Sequence, residues 1–322
     1  VRRDHSELAF RPFPVRWSGV ARDLKETLSK RRLYRMDVAI EIAGLSKSYP
    51  GFSLSDINLS IPAGSIVGLI GQNGAGKTTL IQCVLSLVER DSGDIRLPGS
   101  PKDPNGPAIR SLVGYIPEAP TFYEWMKVGR QIRFVSKFYN SWDQQYSDDL
   151  LRRYELDANK QIKHLSKGMR AKLALLLALS HRPPVLILDE PTSGLDPLMK
   201  HQFLEELRRI VTTGAARAVL VSSHILGEME QVADRVAILR AGELSLFSET
   251  SDFLTGWRKI TFQLPGNQRL EGCGDVHFLG DGRQMLLAKE DVPSLVSLLR
   301  QRGALDINVT SPDLKDIFLE VA

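Results

Sequence analysis

Residues 65–79 read SIVGLIGQNGAGKTT, and the prediction of the fold starts here. Within them, residues 71–78 match the phosphate-loop pattern G-x-x-x-x-G-K-[ST] at every fixed position. Residues 65–70 are a short apolar run with β-branched side chains, which is typical of a buried parallel strand. From Lys77 to Val88, apolar residues recur at helical spacing. The sequence therefore predicts a strand, a glycine-rich loop and a helix in succession.

This glycine-rich loop predicts an anion-binding site. Its glycines allow a tight turn that points backbone N–H groups inward, and the N-terminus of the following helix adds a positive dipole end. Lys77 is expected to reach the β- and γ-phosphates, and the Thr78 hydroxyl to take one coordination position on Mg²⁺. The alternative is a chance glycine turn between a strand and a helix. The predicted phosphate-binding residues are Gly71, Gln72, Asn73, Gly74, Ala75, Gly76, Lys77, Thr78 and Thr79.

Length and composition describe a globular chain. Its 322 residues are enough for more than one domain, and 43% are hydrophobic and 25% charged. The longest strongly apolar run, Leu173–Leu179, is far shorter than the roughly 20 residues that a membrane-spanning helix needs. Cys83 and Cys273 lack disulfide-framework or zinc-site spacing and are interpreted as ordinary thiols in a reducing cytoplasm.

The net charge of +4 is not spread evenly along the chain. Residues 1–36 contain ten of the 42 Lys and Arg and four of the 38 Asp and Glu, which leaves 32 basic and 34 acidic residues beyond them. The body of the chain therefore has a net charge of −2 and predicts no nucleic-acid partner.

Residues 1–35 are predicted to be a basic N-terminal extension. Val20, Leu24 and Leu28 form a narrow apolar stripe among Arg and Lys, which is compatible with an anionic membrane surface. The alternatives are a disordered tail, or upstream sequence translated from a wrong start, because Met36 directly precedes the first strand pattern.

Beyond the phosphate loop, short apolar strands alternate with helical patterns, which predicts an α/β fold with a mostly parallel sheet covered on both faces. The early strand patterns around residues 38–61 predict an antiparallel β edge. Residues 36–255 are assigned to this domain, with a helical subdomain at about 119–182. Residues 256–322 are rich in strand patterns and are predicted to be a small C-terminal α+β accessory domain.

A second group of candidate residues follows the apolar strand at residues 185–188. Asp189 is positioned to hold Mg²⁺ through water. Glu190 lies one residue further, where a carboxylate can orient and deprotonate the water that attacks the γ-phosphate. Paired acids at a strand end are weak evidence alone, but after a phosphate loop they predict a nucleotide-hydrolysing site.

With the phosphate loop and this acid pair, three further motifs give the chain a resemblance to the nucleotide-binding subunits of ABC transporters. Residues 165–169 (LSKGM) are similar to the family's signature LSGGQ, residues 192–197 (TSGLDP) to its D-loop, and residues 222–224 (SSH) to its switch-histidine loop. The resemblance covers about residues 37–250, with the motifs in the family's order. It implies the P-loop NTPase fold and ATP as the nucleotide.

The resemblance assigns roles to individual residues. It implies that Tyr49 stacks on adenine and that His224 contacts the γ-phosphate and the attacking water. Ser166 and Gly168 at the start of a buried helix would form a second anion site, which meets the nucleotide held by another subunit. Asp196 would bridge the two subunits. A dimer that encloses two nucleotides, most simply a homodimer, is thus implied.

At two positions the chain departs from the usual family sequence. Glu118 lies where the family often has Gln, and a carboxylate there can bind Mg²⁺ or its waters. Lys167 lies where the signature usually has Gly; its charge favours phosphate, while its stem adds bulk at the subunit interface. Both variants resemble those of exporter-type ABC ATPases whose permease is encoded separately.

The resemblance implies an ATPase at the cytoplasmic face of the cell membrane that uses Mg²⁺ and powers export through an integral membrane permease. Phe122, Tyr123 and Trp125 are candidate permease contacts, or they pack within the helical subdomain. One alternative is a non-transport ABC ATPase associated with translation or DNA. Another is a regulatory module that binds ATP without turnover, which the presence of Glu190 and His224 disfavours.

Overall fold

The computed structural model of the chain describes residues 38–97, 107–264, 276–279, 282–288 and 291–321. The chain divides into two compact units: a large unit of residues 36–256 and 312–322, and a small unit that contains residues 257–311. The predicted basic extension at residues 1–35 lies outside the described residues.

The centre of the large unit is a six-stranded sheet with five parallel strands and one antiparallel edge strand. In spatial order its strands are β5 (Val113–Ile116), β6 (Val185–Asp189), β7 (Ala218–Ser223), β3 (Ser65–Ile70), β8 (Arg235–Arg240) and β9 (Glu243–Glu249). Every residue of β3, β6 and β7 is buried, as expected for parallel strands covered on both faces. The predicted α/β fold class is confirmed.

A second, antiparallel sheet of the large unit has the order β2-β1-β4. Its strands are β1 (Val38–Tyr49), β2 (Phe52–Pro62) and β4 (Ser92–Arg96). The sequence predicts a turn rather than a strand at residues 92–94. Gly93 has a φ of +91°, but its role is close approach: a Cβ there would lie 2.5 Å from the carbonyl of Gly44 on the neighbouring strand.

Helices cover the large unit. They are α1 (Lys77–Val84), α2 (Pro107–Leu112), α3 (Val128–Ser136), α4 (Gln144–Arg153), α5 (Lys167–Leu179), α6 (Pro197–Thr212), α7 (Leu226–Val232), α8 (Thr250–Gly256) and, after the small unit, α10 (Leu314–Val321). In the described parts of the chain, no helix combines the length and apolarity needed to cross a membrane.

Two helices are shorter than the sequence predicts. The helix predicted to continue to Val88 ends at Val84, and Ser86 just beyond it has a left-handed φ of 51°. The helical periodicity of residues 122–139 predicts one helix over that range, but the helix begins only at Val128. Before it, Lys127 forms an isolated bridge with Gln161, which holds the backbone extended.

The described residues of the small unit form an antiparallel sheet and a helix. The strands, in spatial order, are β11 (His277–Phe278), β12 (Gln284–Ala288), β10 (Arg258–Gln263) and β13 (Leu305–Thr310), and the helix is α9 (Val292–Gln301). Ile260, Phe262 and Leu299 belong to a separate buried apolar cluster.

The chain leaves this unit before its end. Residues 312–322 group with the large unit, whereas the sequence assigns all of 256–322 to an accessory domain. Local sequence does not specify which core a terminal helix joins, because that depends on contacts distant in the chain. Leu314 and Ile317 of α10 are each only 1% exposed.

Candidate functional site

The predicted phosphate loop connects β3 to α1 at the carboxyl edge of the parallel sheet. Gly74 and Gly76 have φ values of +84° and +107°, a region that glycine enters without steric cost. A Cβ at Gly76 would lie 2.6 Å from the ring of Phe52, so only glycine lets β2 approach the loop this closely. Gln72 and Asn73 are exposed, so the loop is open on one side to a ligand.

Lys77 turns back over this loop. Its side chain is almost buried, and its ammonium donates to the carbonyl of Gly71 at 2.8 Å. The same ammonium lies 3.3 Å from Oε1 of Glu190. A positive charge is thus held at the centre of the loop, with a carboxylate opposite it.

Asp189 ends β6 and accepts two hydroxyl hydrogen bonds. Thr78 Oγ1 donates to Oδ2 at 2.7 Å, and Ser222 Oγ donates to Oδ1 at 2.5 Å. Ser222 is on the neighbouring strand β7, directly in register with Asp189. The hydroxyl of Ser222 also accepts from the backbone N–H of Glu190 at 2.9 Å. One serine therefore fixes both acids, and sequence reasoning missed it; its location two residues before His224 was the available signal.

The chemistry of this group fits Mg²⁺. The hydroxyl of Thr78 and the carboxylate of Asp189 are oxygen donors brought together from the loop helix and the neighbouring strand, and Mg²⁺ takes oxygen ligands together with waters and phosphate oxygens. Nearby, burial and the negative charge of Asp189 raise the pKa of Tyr115 to about 12, so this phenol stays neutral.

Glu190 is held between two nitrogen groups. Its Oε2 lies 2.8 Å from Nδ1 of His224, while Oε1 faces Lys77. Glu190 has a left-handed φ of 47°, uncommon for a non-glycine residue, and such outliers concentrate at functional sites. The side chain of Glu190 is only 10% exposed, whereas the side chain of His224 is about half exposed. The arrangement can accept a proton from a water and hold it beside an imidazole.

Ser166 and Gly168 lie at the start of α5. Ser166 Oγ accepts from the N–H of Met169 at 3.2 Å and caps the helix. Gly168 is buried, and a Cβ there would press on the side chain of Met199 in α6, so this glycine permits close helix packing. Among the described residues, no hydrogen bond joins Ser166 to residues 71–79 of the same chain.

Among the described residues, no hydrogen bond joins Tyr49 or Glu118 to Lys77, Asp189 or Glu190. Tyr49 ends β1 with 42% of its surface exposed, and the ammonium of Lys47 is 5.4 Å from its ring centroid. Glu118 follows β5 and lines a cleft of about 340 Å³ with Lys167 and Arg170. Within the described chain no hydrogen bond joins Glu118 to Thr78 or Asp189, so its metal role stays a prediction.

Lys167 and Asp196 make contacts within the chain. The ammonium of Lys167 occupies the space that a Cβ on Gly194 of the D-loop would need. Asp196 caps α6 by accepting from the N–H of Met199 at 3.0 Å. The predicted roles of both residues toward a second subunit stay predictions.

Sequence reasoning also missed a buried carboxylate behind the site. Glu228 of α7 is only 7% exposed, and it accepts from Thr192 Oγ1 at 2.5 Å and from the ammonium of Lys200 at 2.8 Å. It connects the D-loop segment to the helix that follows His224. Its position four residues after His224 gave no signal by itself, because the contact depends on how α6 and α7 pack.

Comparison with known proteins agrees with this geometry. Residues 54–193 match the family model described as ABC transporter. The chain is 30% identical to the uncharacterized ABC transporter ATP-binding protein YhcH of Bacillus subtilis, over 89% of this chain and 96% of that protein. It is 34% identical to the bacitracin transport ATP-binding protein BcrA of Bacillus licheniformis, over 89% and 98% respectively.

Solved structures give the same result. A structure of an ATP-binding subunit of an ABC transporter shares 33% identity and superposes with a TM-score of 0.60, over 67% of this chain and 91% of that one. The coverage of the two relatives extends beyond the motifs to most of the chain. Motifs, fold and relatives agree, and the chain belongs to the ABC transporter ATP-binding proteins, which are ATPases.

Proposed function

We propose that this chain powers export through a separate integral membrane permease, working from the cytoplasmic face of the membrane. The direction is supported by the Nod factor export ATP-binding protein I of Sinorhizobium fredii, which is 29% identical over 89% of this chain. The bacitracin transport protein of Bacillus licheniformis supports a transport role. Because the permease would enclose the cargo, the choice of substrate would belong to that partner.

The observation that carries the proposed chemistry is the carboxylate of Glu190 between Lys77 and His224, directly after Asp189. ATP would bind with its phosphates in loop 71–79 and its adenine on Tyr49. Bound Mg²⁺, held by Thr78 and Asp189, would neutralise charge on the phosphates. Glu118 is a further candidate metal contact.

In hydrolysis, Glu190 would accept the proton of the attacking water while His224 orients that water and the γ-phosphate. An incoming triphosphate would compete for the ammonium of Lys77, which now faces Glu190 at 3.3 Å. Transfer of Lys77 to phosphate would release Oε1 of Glu190, so substrate binding itself would free the base.

A second copy of the chain would complete each site. The capped N-terminus of α5, with Ser166 and Gly168, offers backbone N–H groups and the positive end of the helix dipole to an anion. This helix N-terminus would contact the γ-phosphate of the ATP bound by the partner copy. Closure of the homodimer would therefore depend on ATP. Asp196 would lie at the same interface.

A cleft on the large unit suits a cytoplasmic segment of the permease. Its volume is about 340 Å³, and Phe122, Val135 and Tyr139 supply part of its apolar lining next to strand β5. We refer to it as the permease cleft. Movement of the helices that line it would transmit closure of the nucleotide sites to the permease.

Glu190→Gln and Lys77→Ala test the chemistry. The Gln variant should bind ATP and form a stable dimer on size-exclusion chromatography, while phosphate release falls at least about 100-fold, because the base is gone and the shape is kept. Lys77→Ala should instead lose ATP binding in calorimetry. Normal turnover by the Gln variant would remove Glu190 from the mechanism.

Purification from native membranes tests the transport role. A tagged chain is expected to co-purify with an integral membrane protein, and ATP hydrolysis should respond to that protein. Isolation of an active ATPase without any integral partner would favour a non-transport ABC ATPase. Absence of turnover in every preparation would favour a regulatory ATP-binding module.

A further inference from the structure

Four aromatic side chains form a continuous row on the surface of the large unit. From Trp125 to Tyr123, Phe134 and Phe138, neighbouring ring centroids are 6.1, 5.4 and 5.2 Å apart. These four residues are 57%, 47%, 36% and 70% exposed, respectively. Large aromatic side chains that contact one another in the open are uncommon on a surface without a partner. We refer to these four residues as the aromatic row.

Cations accompany the aromatic row. Residues 121–138 contain Lys127, Arg130, Arg133 and Lys137, all of them exposed, and only one acid, Glu124. That acid is already engaged in a two-pronged ion pair with Arg170, one of whose contacts is 2.7 Å.

Helix α3 separates two different faces. Val128, Gln131 and Ile132 are buried and hold the helix on the subdomain. The exposed residues of α3 include Arg130, Arg133 and Phe134, and Lys137 and Phe138 continue the same surface one turn later. The guanidinium of Arg130 lies 5.0 Å from the ring centroid of Trp125. The outward face is therefore aromatic and cationic, and it has no acid within α3.

This surface differs from the permease cleft. Phe122 and Val135 line the cleft, but the described lining contains none of the four residues of the aromatic row. The permease cleft is concave and can enclose a protein segment, whereas the aromatic row is a line of exposed residues outside it. Aromatic rings and Lys or Arg together suit the interface of a bilayer, where rings lie among headgroups and cations contact anionic lipid.

We propose that the aromatic row and its four cations form a contact surface for anionic lipid headgroups. The inference deepens the proposed function, on which it rests for the location of the chain at the membrane. It specifies a second, lipid anchor beside the permease cleft. Binding would combine insertion of rings with attraction of Lys127, Arg130, Arg133 and Lys137, and high salt would weaken it by screening the charges.

Co-sedimentation of the purified full chain with vesicles tests the proposal without any permease. The chain should pellet with vesicles of phosphatidylcholine and phosphatidylglycerol at low salt, and not with phosphatidylcholine alone. Arg133→Glu with Lys137→Glu should weaken binding by about tenfold or more, because two attractions become repulsions. Phe134→Ser with Phe138→Ser should weaken it as well, while ATP hydrolysis in solution is unchanged.

Matched variants distinguish this surface from general charge and apolarity. Arg208→Glu with Arg209→Glu makes the same charge change at exposed positions of α6, and Phe278→Ser removes an exposed ring of the small unit. Both should bind vesicles like the original chain. The basic residues 1–36 are present in all variants, so they cannot produce a difference between them.

Two results would overturn the lipid proposal. One is failure of the full chain to prefer vesicles with phosphatidylglycerol. The other is normal vesicle binding by the charge-reversal and Phe→Ser variants of the aromatic row. If those variants also lost an integral partner in pull-downs, the aromatic row would be a protein-docking surface. Failure of the proposed function is a separate result, since it would appear as turnover by Glu190→Gln or as the absence of any integral partner.

Discussion

At the scale of single residues, Ser222 connects the two acids of the site. It donates to Asp189 and accepts from the backbone N–H of Glu190, and it is fully buried. Residues that orient metal ligands typically cost about 10- to 100-fold in activity when they are removed, and Asp189 is the predicted Mg²⁺ ligand here. The left-handed backbone of Glu190 adds to this dependence, because the bond to Ser222 helps to hold an unfavourable conformation.

Ser222→Ala should lower kcat about 10- to 100-fold while the KM for ATP changes little. The substitution leaves the N–H of Glu190 without its buried acceptor and leaves Asp189 with one hydroxyl contact instead of two. Steady-state phosphate release measures the effect, and Ser222→Thr should recover part of it because the hydroxyl remains.

Ser65→Ala is the control for burial. Ser65 is also a buried serine, but it donates to Pro62 at the amino end of β3, away from the site. Both alanine variants should lose some stability, and only Ser222→Ala should lose turnover. Equal kcat values for the two variants would reduce Ser222 to a structural residue.

At the scale of elements, the sequence predicts what is encoded locally. Strands β3, β6 and β7 are continuous apolar runs, and Lys77 and Glu190 follow from short motifs next to them. Strand β9 was not predicted, because six of its seven residues are exposed or half-exposed and it lacks a continuous apolar run. Strand β4 was predicted as a turn because it contains Gly93, but this glycine allows close packing against β1.

Contacts between elements depend on their spatial order, which local sequence does not specify. Ser222 meets Asp189 because β6 and β7 are neighbours, although the two residues are 33 positions apart. Glu228 meets Thr192 and Lys200 because α7 packs on α6. The motifs therefore predict which residues act, and the fold adds those that hold them.

Glu228→Gln tests whether α6 and α7 are coupled through this carboxylate. The free energy of unfolding should fall, because Lys200 loses a buried counter-ion, and kcat should fall several-fold since the D-loop segment and the helix after His224 lose their connection. A double-mutant cycle with Lys200→Met, measured by urea denaturation, should give a coupling free energy of unfolding of about 1 kcal/mol or more between the two residues.

The pair Arg152 and Asp149 in α4 provides a matched control for this cycle. It is an ion pair as well, but its side chains are 76% and 49% exposed, and exposed pairs couple weakly. Substitutions of this surface pair are expected to have additive effects on the free energy of unfolding. If Glu228→Gln and Lys200→Met were also additive, the buried carboxylate would not connect the two helices.

At the scale of the whole molecule, the chain passes through the small unit and then returns to the large one. Helix α10 contacts α7, the helix that follows His224. Its start is fixed by reciprocal hydrogen bonds between Asp313 and Asp316, at 2.8 and 3.0 Å, which is a capping-box arrangement. Residues far along the chain thus belong to the core that supports the helix after His224.

Leu314→Ala with Ile317→Ala should therefore destabilise the large unit although both positions follow the small one in sequence. Both side chains are 1% exposed, and removing two such groups should cost about 4 kcal/mol or more in the free energy of unfolding. Urea denaturation is monitored by the loss of ATP binding. This signal reports on the large unit, because the phosphate loop belongs to that unit. Lys315→Ala, at an exposed position of the same helix, should leave the midpoint unchanged. An unchanged midpoint in the double variant would mean that α10 is not part of this core in solution.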